Sequence, residues 1–412
     1  MKKSLFFLFL NAFTAFVFSQ ETHPIIDTLR KDALNVFMDA SDYVKKEIPY
    51  VNYVRDIKDA GVYIISTSQN TGSGGMEYTY FLVGQHDFAG MRDTVSFVTT
   101  PDETVEGRRQ KEVTTLKMAL MRYVAKTPLS KYMKINFSEP LSETVSTDKW
   151  NNWVFSGQFM TYFYNEKSYK YYYISGNLAT SHITAKWKIN LNVRYSQYHN
   201  KYILKDTTLK SINDTKSINA LIVKSISDHW SYGGSAYISS STYSNTKISY
   251  AVMPGIEYDL FPYSESTKRQ LRLLYSIGYN HVNYMDSTIY GKMEDDLYLH
   301  SISASYKVVQ KWGSIDVNLT YRNYLHDWSK NNLSFSGEMS LRVAKGLQVS
   351  FYGGASLIHD QLGLIKESYL TNEAIILQRK ELATQYQYYS QIGITYTFGS
   401  IYNNVVNPRF GN

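Results

Sequence analysis

Near the C-terminus, Tyr386, Tyr388, Ile392, Ile394, Tyr396 and Phe398 alternate with Gln387, Gln391, Gly393, Thr395, Thr397 and Gly399. A period of two sends successive side chains to opposite faces of a strand, so this segment predicts lipid on one side and water on the other. The pattern recurs upstream. Leu333, Phe335, Met339, Leu341 and Val343 oppose Ser334, Ser336, Glu338, Ser340 and Arg342, and Leu347, Val349, Phe351, Ala355 and Leu357 oppose Gln348, Ser350, Gly354 and Ser356. The pattern predicts strands near 151–165, 168–181, 185–198, 215–228, 229–243, 246–260, 269–284, 295–309, 312–326, 331–344, 346–359 and 385–399. An even number of about twelve suits a transmembrane antiparallel β-barrel spanning 151–399.

Residues 20–142 read differently. Leu34 to Met38 predicts a strand, and Ser41 or Asp42 caps a helix with Val44, Ile48 and Val51 on one face. Gly61 to Thr67 and Met76 to Val83 predict a hairpin closed by Thr71 to Gly75, followed by a strand from Thr94 to Thr99 and an amphipathic helix from Glu106 to Ala125. This order predicts a small α/β sandwich with helices on one face. The Ser-, Thr- and Glu-bearing stretch from Phe137 to Asp148 marks the join, with 143–150 as linker, and 400–412 forms a tail expected at the periplasmic rim or against the α/β domain.

Lys2 and Lys3 precede an apolar run from Leu5 to Phe18, and Val17 and Ser19 stand at minus three and minus one of a cleavage point before Gln20. Residues 1–19 therefore read as a secretory signal peptide. Export leads either to solution or to a membrane that accepts strands. Composition favours the membrane: 43% of residues are hydrophobic and 38 are Tyr, yet mean hydropathy is negative, as alternating strands with aromatic belts require. The formal charge of +7 falls to +5 without Lys2 and Lys3, and the basic residues are dispersed, so no nucleic-acid footprint emerges. With no Cys, there is no disulfide framework or thiolate metal site.

The connections predict two rims. Tight turns at His182 to Ala185, Asp228 and His229, Gln310 and Lys311, and Ala344 to Gly346 alternate with longer connections at Lys201 to Asp214, Met285 to Asp295 and Asp360 to Thr384. With both chain ends of an even barrel in the periplasm, the tight turns fall on the periplasmic rim. Trp187, Trp230 and Trp312 each follow one, predicting a single interfacial girdle. On the polar side lie Lys188, Arg194, Glu257, Asp259, Arg272, Lys307, Asp316, Arg322, Glu338 and Arg342. Charges of both signs in a narrow interior are expected to pair, with Asp316 opposite Arg342 and Glu257 near Arg272. The last long connection carries helix-like composition from Thr371 to Thr384, suited to covering the outer mouth or engaging a surface partner.

Catalytic signals are weak. A barrel phospholipase needs a Ser nucleophile beside a His base, and His300 with Ser301 is the nearest pair, but adjacent strand residues face opposite sides. His326 with Asp327 and His359 with Asp360 offer rim dipeptides common in loops, and Thr71 to Gly75 lacks the Lys and helix start of a phosphate loop. The histidines lack metal-ligand spacing, so no catalytic residue, metal or cofactor is assigned.

The stretches EIPYVNYVRDIKDAGVYIIS (Glu47 to Ser66) with the following TGSGGMEYTY, DHWSYGG, YDLFPYSESTKRQL and TYTFGSIYNNVVNPRF resemble a family of outer-membrane proteins of Bacteroidota. The resemblance covers nearly the whole mature chain and implies location and architecture, with no catalytic or binding residue to carry over. The N-terminal strand order is also similar to the α/β domains of the TolB N-terminal region and the curli secretion lipoprotein, as fold analogy. The expected function is a non-enzymatic envelope scaffold: the barrel, inserted into outer-membrane lipid by the barrel-assembly machinery, anchors the periplasmic domain 20–142 for another envelope partner. The alternative is a narrow small-solute channel, and a barrel-embedded hydrolase ranks below both.

Overall fold

A computed structural model describes residues 32–134, 148–366 and 381–399. The expected signal peptide at 1–19, the segment 135–147, most of the helix-like stretch at 371–384, and the tail at 400–412 lie outside these.

The N-terminal region contains β1 (Asn35–Phe37), α1 (Asp42–Glu47), β2 (Asn52–Tyr53), β3 (Val62–Asn70), β4 (Met76–Gly84), β5 (Arg92–Thr99) and α2 (Val105–Val124). Its sheet order is β2-β1-β3-β4-β5, parallel at β2-β1-β3 and antiparallel beyond. Ser41 caps α1 by accepting from the Val44 amide, and Thr104 caps α2 by accepting from Gly107. One apolar cluster, including Val36, Val44, Ile48, Leu82, Leu116, Leu120 and Tyr123, joins both helices to the sheet. The first helix is shorter than expected. It stops at Glu47, and Ile48 and Val51 reach the core from the cap and the turn before β2 instead. Two residues of strand, β2, are too few for periodicity to reveal.

Twelve strands follow: β6 (Trp153–Asn165), β7 (Tyr169–Ile183), β8 (Trp187–Ile203), β9 (Thr208–Ser225), β10 (Trp230–Ser241), β11 (Thr246–Asp259), β12 (Arg269–Tyr284), β13 (Glu294–Gln310), β14 (Gly313–Tyr324), β15 (Asp327–Ala344), β16 (Leu347–Ile358) and β17 (Tyr386–Tyr396). They form one antiparallel meander in chain order. Among the described residues no pairing joins β6 to β17. No described helix is long and apolar enough to cross a membrane, and a large antiparallel meander is compatible with a membrane barrel.

The sheet is strongly curled with its polar face inside. Tyr237 on β10 and Arg322 on β14 are within electrostatic reach. These strands are four apart in the sheet, about 19 Å if flat. Both residues lie on the polar face, so that face is concave. The convex face carries exposed Leu178, Leu191, Ile222, Ile238, Val252, Ile277 and Ile302. Aromatic residues bound this band: Trp187, Trp230 and Tyr258 at one end, Tyr250, Tyr279 and Tyr298 at the other. Tyr250 to Tyr258 is eight residues, roughly 20 Å along the axis at about 3.3 Å per residue and a tilt of about 40°.

Turn length does not separate the rims as expected. The rim bearing Trp187, Trp230 and Trp312 includes the nine-residue connection 260–268, while the far rim has tight turns at 166–168, 204–207, 242–245 and 325–326. The predicted loop Lys201 to Asp214 is mostly strand, with Ile203 paired to Thr208 and a turn closed by the Leu204 amide on Thr207. Its polar residues read as loop, whereas strand pairing satisfies their backbone groups beyond the apolar band.

Candidate functional site

The pleat gathers the charged residues on the concave face. Asp316 is paired in register with Lys307 on β13 and Glu338 on β15, and its carboxylate lies 3.5 Å from Lys307 Nζ. The expected Asp316–Arg342 pair does not form. The expected pairing closes around Asp327 to Lys330; instead the chain turns at 325–326 and, past a bulge at Asn323/Tyr324, the register sets Asp316 against Glu338 and moves Arg342 to the rim opposite Gln348. Glu257 Oε2 and Arg272 Nε lie 3.5 Å apart. Asp259 is fully buried and caps a turn, Oδ1 accepting from the Phe261 and Leu271 amides.

The expected interior network is therefore sparse. Among the described residues Lys188, Arg194, Arg322, Arg342 and Glu338 make no ion pair, because β8 carries only cations and the register sets Asp316 against Glu338. Water inside the curl can solvate such charges without protein partners.

At the far rim, the chain leaving β16 folds across the mouth. Leu362, Leu364 and Ile365 are buried. Leu362 packs with Val282, Tyr284, Leu297 and Tyr324. Thr288 bridges Ile365, the Ile289 amide donates to the Leu364 carbonyl, and the Lys366 amide donates to the Ser287 carbonyl. Asn245, in the β10–β11 turn, pins this strap. Its Nδ2 donates to the Asp286 carbonyl at 2.8 Å and the Gly363 carbonyl at 3.1 Å, and Oδ1 accepts from the Asp286 amide at 2.9 Å. Asn245 is 1% exposed with φ 55°, a left-handed conformation that Asn tolerates better than most residues. The β10–β11 and β16–β17 connections are six strands apart, so the strap links points half the twelve-stranded sheet apart. The sequence signal was the apolar run Leu362, Leu364, Ile365 inside a stretch otherwise read as loop.

At the other rim sits the N-terminal domain. Lys345 meets Asp59 at 2.7 Å; Arg55 donates to the Phe398 carbonyl at 3.0 Å and the Gly399 carbonyl at 2.7 Å. Hydrogen bonding to Asp59 holds the Lys345 ammonium above its ordinary pKa. Ser181 Oγ donates to the Gly72 carbonyl at 3.1 Å, and Lys268 Nζ lies 3.6 Å from the Phe81 ring centre. Ser181 is on β7 and Phe398 follows β17, so the domain touches both ends of the meander. A cavity of about 930 Å³ lies between domain and rim, lined by Phe37, Arg55, Ile57, Trp312, Arg342 and Leu347 among others. Arg342 lies 4.2 Å from the centre of the Phe37 ring.

No protein-family model and no curated protein matches this chain.

Catalytic geometry stays thin. His300 packs edge-on to Tyr275, Tyr321 and Trp328 on the convex face, while Ser301 lies on the concave face opposite Arg322. Asp327 binds Ser329, Asp360 accepts from Asn332, and His359 contacts Asn331, so the rim dipeptides shape turns. One cluster escaped the sequence: His281 Nδ1 lies 2.7 Å from Asp296, which also accepts from the Tyr279 hydroxyl, but His281 Nε2 is occupied by Asn283 at 2.8 Å and no Ser or Thr among the described residues is hydrogen-bonded to His281. Only pairing across β12 and β13 brings these residues together. Trp187, Trp230 and Trp312 lie at one rim and are each about 40% exposed. No group of three metal-ligating side chains occurs among the described residues.

Proposed function

We propose that this chain is an outer-membrane β-barrel that anchors its N-terminal domain in the periplasm as a non-enzymatic envelope scaffold. The observation that carries the reading is the seating of the domain at one rim while the strap covers the opposite mouth. A diffusion pore needs neither. Contact of one domain with both ends of the meander favours a closed β6–β17 seam, because a domain bridging two edges holds them together. The roughly 20 Å apolar band with aromatic borders is close to the band height of membrane barrels. The rim bearing Trp187, Trp230 and Trp312 then faces the periplasm, and outer-membrane lipid covers the convex face.

A narrow anion pathway is the second reading, favoured by Arg194 and Arg322 on the concave face, which make no ion pair among the described residues. Membrane fractionation and heat-dependent gel mobility test the location, and mature protein recovered without detergent in the soluble fraction would overturn it. Planar-bilayer recording separates the two readings: the scaffold yields no steady current, whereas steady anion-selective current from the intact chain supports the channel.

A further inference from the structure

We propose that the cavity between the N-terminal domain and the barrel rim binds an amphiphilic anion, a phosphate or carboxylate head with an apolar chain. Its volume of about 930 Å³ lies within the usual size of small-molecule pockets. The lining divides chemically. Arg342, Lys311 and Lys58 supply cationic groups that outnumber the carboxylates of Asp39 and Asp56, and Val54, Ile57, Val343 and Leu347 supply an apolar wall.

The cations differ in availability. Lys345 is committed to Asp59 at 2.7 Å, and Arg55 to the backbone carbonyls of Phe398 and Gly399. Arg342 has neither kind of partner: it makes no ion pair among the described residues, and the Phe37 ring lies 4.2 Å from its guanidinium carbon. Asp39 and Asp56 line the same cavity and act on it electrostatically, but neither forms an ion pair with it. A guanidinium held against an aromatic ring keeps its planar fork of N–H donors for an oxyanion, and a carboxylate or phosphate fits that fork with two parallel hydrogen bonds. A purely ionic ligand would leave the apolar wall unused. A purely apolar one would leave the Arg342 N–H donors facing hydrocarbon without a hydrogen-bond acceptor.

Exposed Trp312, Tyr396 and Phe398 border the same cavity, so on the membrane reading it opens at the height of the inner-leaflet headgroups. That reading bears only on the ligand's source. The site itself rests on the cavity and its lining.

The test uses the whole mature chain in dodecyl maltoside micelles, titrated calorimetrically with dodecyl phosphate and separately with inorganic phosphate. Saturable one-to-one binding of dodecyl phosphate is expected, with inorganic phosphate at least tenfold weaker. Arg342→Gln should weaken dodecyl phosphate binding roughly tenfold or more, as loss of a charge-assisted bidentate contact implies, and Arg342→Lys should fall between. Lys224→Gln removes a cation beside Trp187, outside the cavity, and should leave binding unchanged. Heat-dependent gel mobility establishes that each variant is folded. Native mass spectrometry of protein extracted from phosphatidylglycerol-containing membranes distinguishes the sources: lipid retained by the wild type and lost in Arg342→Gln assigns a headgroup, and binding without retained lipid assigns a free amphiphile. Equal binding of inorganic phosphate, equal weakening by Lys224→Gln, or no effect of Arg342→Gln in a folded variant would overturn the proposal. Fractionation into the soluble phase would overturn the membrane reading alone, leaving the binding result standing.

Discussion

At the residue scale, two side chains carry tests that depend on register. Asp316 meets Lys307 across β13 and β14, while Arg342 lies at the rim beside Phe37. In double-mutant cycles read by detergent unfolding midpoint, Asp316→Asn with Lys307→Gln should show coupling of about 0.2 to 1 kcal/mol, since both groups are substantially exposed. Asp316→Asn with Arg342→Gln should be additive, and coupling there would contradict the β14–β15 register. Asn245 makes a stronger case, because one buried amide holds three connections. Asn245→Ala loses those bonds, at about 1 to 3 kcal/mol for buried groups left unpaired, and forces a Cβ residue with little αL tolerance into φ 55°. Asn245→Gly loses the bonds without that strain. The thermal midpoint should therefore fall in both and further in the alanine variant, and the reverse order would show that φ strain plays no part.

At the element scale, the strap and the domain attachment are separable. The strap packs Leu362 against Val282, Tyr284 and Leu297, so removing that side chain costs burial as well as contact. Leu362→Ala should destabilise by about 2 to 5 kcal/mol if the site cannot collapse, and should speed amide exchange at Ser287 and Ile289 while leaving the N-terminal domain unchanged. Accelerated exchange in both regions would mean that strap and domain are coupled. The domain is held differently, by exposed polar contacts. Arg55→Ala with Lys345→Ala should loosen it in a salt-sensitive way, seen as faster exchange at the end of β17 and along β1. No change in exchange at either place would show that packing alone seats the domain.

At the scale of the whole molecule, the proposed barrel, covered at one mouth and occupied at the other, should conduct poorly. Deleting 360–365 should leave a folded protein with measurable conductance if the strap is the principal barrier. A deletion variant that stays silent would place the barrier deeper, among the concave-face side chains. Among the described residues Lys188, Arg194 and Arg322 outnumber Glu338 as charges without an ion pair there, so any current should favour anions.

The sequence by itself determined the twelve strands and the face each side chain takes. Both follow from a period of two, which is local and survives errors at strand ends. The small domain was legible for a related reason: Ser41 and Thr104 cap their helices by bonds within three residues, and the β3–β4 hairpin closes over a short turn. Tertiary structure decided what partners a residue finds. An earlier β14–β15 turn and the bulge beside it put Glu338 rather than Arg342 opposite Asp316, because pairing register depends on where each turn closes. Nothing local marked Asn245 as a latch, since its partners come from connections 41 and 118 residues away. Nor could periodicity show Arg342 against Phe37 or Arg55 on the carbonyls after β17, contacts that exist only once the curled sheet presents its rim to the domain.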